Sequence, residues 1–164
     1  MLSDDQSMFI LEKNSDDIEH DAQIIIESCQ ASAYRSINAQ LLRRNWLLGK
    51  RLSEELLGKD VSYGKGMMHN LSSKLRREYG DSFSVRNLYS YVQFYRTFPD
   101  ILNSLSSQSP ILSWTHYRTL LRVTDDDARR WYLSEATANS WSVRMLDRNI
   151  STQYYYRMMK TPDQ

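Results

Sequence analysis

The sequence predicts an all-α fold in which a long N-terminal helix is followed by two helix-turn-helix-like subdomains, and three observations carry that prediction. Only five glycines and three prolines interrupt 164 residues that are 41% hydrophobic and 12% aromatic, a composition suited to ordered helices. From about Asp21 to Leu57, apolar residues return every three, four or seven positions, the period of an amphipathic helix. Finally, one stretch is written twice. Ser82-Phe83-Ser84-Val85-Arg86-Asn87-Leu88 is answered 58 positions later by Ser140-Trp141-Ser142-Val143-Arg144-Met145-Leu146.

Residues 1–17 are acidic and without periodicity, which predicts a flexible leader. In the long helix the stripe runs through Ile26, Cys29, Ala33, Ile37, Leu41, Leu48, Leu52 and Leu56, and Gly49 is its only weak point. A helix of this length exceeds the width of a small domain. Part of the stripe is therefore expected to pack on another subunit or domain, with Ile37, Leu41, Leu48 and Leu52 as the oligomer interface; a helix bent at Gly49 over its own core is the competing reading. Cys29 is expected to be packed rather than reactive. Gly58 ends the helix, and the next should run from about Tyr63 to Tyr79 with Met67, Met68, Leu71 and Leu75 inside.

The repeated stretch is a capped helix start. Ser84 and Ser142 can accept from the free N–H groups of the first turn, and Phe83 with Leu88, like Trp141 with Leu146, has the spacing of a hydrophobic staple. Trp114-Thr115 leading to Leu120 is a weaker third copy. Residues 18–99 thus form the long helix and the first helix-turn-helix-like unit. Residues 100–111 read as a Ser-rich loop, and 112–160 as the second unit. In that unit Thr124 caps a helix carrying Ala128, Trp131, Tyr132 and Ala136 inward, and a last helix buries Val143, Leu146, Ile150 and Tyr154.

Charge and motifs narrow the function. Residues 1–27 hold eight acids against Lys13, leaving twenty basic and twelve acidic residues in the rest, a basic body suited to a polyanion. The helix after Ser84 presents Ser84, Arg86, Asn87, Ser90 and Tyr91 from its first turns, where arginine can fork onto guanine, asparagine onto adenine, and Ser and Tyr hold phosphates. Arg144 and Arg148, four apart, support them from the last helix. DNA is therefore the expected partner, alongside a homo-oligomer. With one cysteine, no signal peptide and no long apolar run, the chain reads as cytoplasmic, with no membrane span. No His or Cys pair has zinc spacing, the three aspartates after Thr124 read as a helix start rather than a metal site, and the glycines from Gly58 to Gly66 lack the spacing of a phosphate loop. No cofactor is expected. None of the six lysines has an acid two positions before it, so a nuclease site of the Asp/Glu-x-Lys kind is absent and the chain is not expected to be an enzyme.

Several segments then resemble, in order, the N-terminal domain of YhcG-like proteins of the PD-(D/E)xK nuclease superfamily. They include Ala33-Tyr34-Arg35-Ser36-Ile37-Asn38, Trp46-Leu47-Leu48-Gly49-Lys50-Arg51-Leu52, Tyr63-Gly64-Lys65, Leu112-Ser113-Trp114-Thr115-His116 and Ala128-Arg129-Arg130-Trp131-Tyr132, beside the two capped starts. The resemblance covers residues 20–158. It implies a helical, helix-turn-helix-like nucleic-acid-binding domain that serves a nuclease domain, in cis or in trans. It also implies that this chain stops about where the nuclease would begin, so it carries no catalytic residue over.

Overall fold

A computed structural model describes residues 15–106 and 111–160; most of the expected leader and part of the expected Ser-rich loop lie outside them. The described residues form eight α-helices and no strand, so the fold is all-α. The first helix, α1, spans Ile18–Leu56. Asp17 caps it by accepting from the N–H groups of Glu19 and His20 at 3.0 and 3.1 Å, and Asp21 accepts from the Ser15 backbone and hydroxyl. Its end is the turn at Gly58, whose φ of +72° is the left-handed conformation glycine tolerates.

Helix α2, Val61–Tyr79, starts two residues before the expected Tyr63 because Asp60 caps it, accepting from Tyr63 N–H at 2.7 Å. Gly64 and Gly66 lie within it. A single 3-10 turn, Asp81–Phe83, leads into α3, Val85–Thr97. The expected cap and staple are both present here: Ser84 accepts from Asn87 N–H at 3.2 Å, and Phe83 and Leu88 are buried in one cluster.

Helix α1 runs unbroken through Gly49. This glycine is buried where α3 crosses, and a Cβ there would stand 1.9 Å from the carbonyl oxygen of Tyr91. Only a residue without a side chain allows this approach. Around the crossing, the Trp46 indole N–H donates to Phe98 O at 3.0 Å, and the Trp46 and Tyr95 rings meet edge to face at 5.0 Å.

The expected loop at 100–111 contains a short helix, α4, Ile101–Leu105, because Ile101 and Leu105 fill the core. Helix α5, Trp114–Leu120, is capped by Ser113, not within Trp114-Thr115: Ser113 and His116 form a capping box, and Leu112 and Tyr117, both buried, stand at the staple positions. Helix α6, Asp126–Ala138, is capped by Asp125 rather than Thr124. A carboxylate accepts from two N–H groups at once, here those of Asp127 and Ala128. Ser142 caps α7, Val143–Ser151, as expected. The last helix is broken: Gln153 takes a φ of +54°, and α8, Tyr154–Lys160, sets off anew.

Two apolar clusters hold the helices. The smaller joins Leu52, Met68, Phe83, Leu88, Tyr91 and Val92 from α1, α2 and α3. The larger runs from Ala39, Leu42 and Trp46 through Phe94 to Leu120, Ala128, Tyr132, Ala136 and Leu146, so it draws on residues from both expected subdomains. Trp114 packs against both. The first half of α1 contributes to neither, and Ile26, Tyr34 and Ile37 are exposed along it. Cys29 is exposed too, against expectation, because it lies in this half.

Candidate nucleic-acid interface

A groove of about 500 Å³ opens where the start of α3 faces α5 and α7. From α3 it is lined by Arg86, Asn87, Ser90 and Gln93, from α5 by Arg118 and Thr119, and beyond it by Leu121, Arg122 and Asp147. Gln93 holds the two sides together, its amide N–H donating to Leu121 O at 3.2 Å. Arg122 is ion-paired with Asp147 across the groove. Arg86 and Arg118 are exposed and have no ion-pair partner among the described residues. Two unneutralised guanidinium groups thus face one groove from two helices.

The residues expected to bind nucleic acid divide. Arg86, Asn87 and Ser90 lie together in the groove. Ser84 is the cap of α3, so its oxygen is already engaged. Asn87 donates to Ser82 O at 3.2 Å and the Ser90 hydroxyl to Arg86 O at 3.1 Å, which orients both. Tyr91 corrects the expectation of an exposed face. It is 2% exposed and its hydroxyl donates to Ser82 O at 2.7 Å, because α3 turns that side toward α1 and α5. Burial raises its pKa, opposed by the nearby charges of Arg44 and Arg118. Arg144 and Arg148 are exposed on α7 but do not line the groove; Asp147, between them in sequence, does.

The expected oligomer residues divide as well. Ile37 and Leu41 are exposed, whereas Leu52 is 4% exposed inside the smaller cluster and Leu48 is half-buried against it. The stripe read as continuous therefore changes role near Leu41: beyond it α1 packs on α3.

Sequence reasoning missed Arg118 and His116. The His116 Nε2 lies 2.7 Å from Trp141 O, a group that can only accept, so Nε2 carries the proton and Nδ1 accepts from Ser113. The cap of α5 is thereby tied to the staple residue of α7. The spacing Ser113-x-x-His116 is the one signal that could have found it. Among the described residues no group of His, Cys, Asp and Glu could hold a metal ion, and no helix is long and apolar enough to cross a membrane.

Comparison with known proteins bears on the whole arrangement. The chain is 30% identical over 175 residues to the protein named "Putative nuclease YhcG" of Escherichia coli (strain K12), which covers 88% of this chain and 47% of that protein. The chain thus spans about half the length of the curated relative it matches. No solved structure matches it. The family model described as the DUF1016 N-terminal domain matches residues 21–157, from the first turn of α1 into α8. Both capped repeats and the crossing at Gly49 fall inside that match, and the chain belongs to the DUF1016 N-terminal domain family, the N-terminal part of YhcG-like proteins.

Proposed function

We propose that this domain binds DNA through the groove at the start of α3 and so brings a nuclease, in cis or in trans, to its substrate. The observation that carries the reading is the pair Arg86 and Arg118, which face one groove and are held by no carboxylate among the described residues. Arginine in such a setting forks onto phosphate oxygens or a guanine edge. The two helix–turn–capped-helix units, α2 to α3 and α6 to α7, are in keeping with helix-turn-helix-like docking, and the name of the bacterial relative supports the link to a nuclease. Binding of labelled duplex, branched and single-stranded DNA across a salt series tests it. Arg86→Ala and Arg118→Ala are each expected to weaken binding about tenfold and to lower the salt slope by about 1. Unchanged affinity in the double variant would remove this groove from the interface.

A second reading is favoured by a separate observation, the exposed apolar residues Ile26 and Ile37 on the first half of α1. In it, that half-helix joins two copies of the chain, which is compatible with DNA binding because helix-turn-helix proteins commonly act as dimers.

A further inference from the structure

We propose that a cleft beside the groove receives a phosphate monoester, the group that ends a nucleic-acid strand; its use on DNA rests on the DNA-binding reading above. The cleft measures about 270 Å³ and lies between α1, α3 and α5. Arg44 and Asn45 line it from α1, Asn87 and Tyr91 from α3, and Trp114 and Arg118 from α5. It adjoins the groove through Asn87 and Arg118, which line both.

Three features define what it would take. No carboxylate lines it, in contrast to the groove, where Asp147 neutralises Arg122. Neither Arg44 nor Arg118 has an ion-pair partner among the described residues. The third feature is Asn45, which is 1% exposed. Its Oδ1 accepts two N–H groups of Arg44, at 3.1 and 3.0 Å, while its Nδ2 has no hydrogen-bond partner among the described residues. Arginine only donates, so the amide orientation is fixed and the unmatched group is an N–H donor. Buried donors without partners are rare in folded proteins and ask for an explanation. An acceptor entering this cleft would meet two guanidinium charges beside the Asn45 side chain.

The depth of Asn45 selects the form of the acceptor. A phosphodiester inside a strand carries sugar on both sides and cannot sit in a recess. A terminal phosphate enters end-on, has three free oxygens and carries close to two negative charges at neutral pH, which suits two arginines. Free phosphate shares this chemistry, so the test separates the two sources.

The test measures binding of three DNA hairpins, ending in a 5′-phosphate, a 3′-phosphate or hydroxyls only, to the whole chain, with inorganic phosphate as competitor. One phosphorylated hairpin should bind about tenfold tighter than the hydroxyl form, the worth of one charge-assisted hydrogen bond. Asn45→Leu and Arg44→Gln should each erase that preference while leaving salt-dependent binding of the hydroxyl hairpin in place. Should Asn45→Leu fail to fold, Arg44→Gln carries the test. Equal affinity for all three hairpins overturns the cleft and leaves the groove standing. If no hairpin binds, the groove reading falls, and thermal unfolding in inorganic phosphate decides the cleft. A rise in Tm that Asn45→Leu abolishes keeps it as a site for free phosphate, and no rise overturns it.

Discussion

Single atoms decide several outcomes in this chain. The van der Waals space at Gly49 is already filled by the Tyr91 carbonyl. Gly49→Ala must push α3 off α1, and a loss of about 3 kcal/mol or more is expected in urea unfolding. Gly66 is the control, since it also lies within a helix but a Cβ there would meet nothing within 4 Å. Gly66→Ala should stabilise by about 0.5–1 kcal/mol. Tyr117 offers a pH signal. Burial pushes its hydroxyl up to about 12 from an ordinary value of 10.0. The folded state thus keeps its proton when the unfolded state has lost it. The contribution is complete below pH 10 and disappears as pH rises toward 12, by roughly 2–3 kcal/mol. Tyr117→Phe should flatten that part of a stability–pH curve. None of this was legible in the sequence for a common reason. The helical period shows that a residue faces inward but not which atom it meets, and nothing in Arg43-Arg44-Asn45 announces that the amide is buried.

Elements were far more legible, because their signals are local. The twin starts at Ser84 and Ser142 could be read from seven residues each, and both caps are where the spacing puts them. Ser84→Ala and Ser142→Ala should each cost about 1 kcal/mol in thermal or denaturant unfolding. The misplacements were equally local in kind. Thr124 and Asp125 are both good caps, and only the backbone geometry selects Asp125. The serines after Asp100 suggested a loop, yet Ile101 and Leu105 form a turn of helix because the core accepts them. The break at Gln153 has no glycine or proline to announce it.

At the scale of the molecule, the sequence pointed to an assembly without saying which part of α1 is free. The exposed half, before Ala39, is the part on which that prediction rests. If it joins two copies, Ile26→Asp with Ile37→Asp should halve the mass measured by light scattering while leaving helicity unchanged; a monomeric wild type would dismiss the second reading. The division at 100–111 was drawn from composition, but apolar contacts do not respect it. Ala39, Leu42 and Trp46 of α1 share a cluster with Tyr132, Ala136 and Leu146, and Trp114 lies where that cluster meets the smaller one. Each half cut free is therefore expected to lose apolar contacts that the other supplies, which circular dichroism of the separate halves would show. A gene split at the serines would yield two sticky, poorly folded pieces, whereas mixing them should restore the fold by complementation around Trp114.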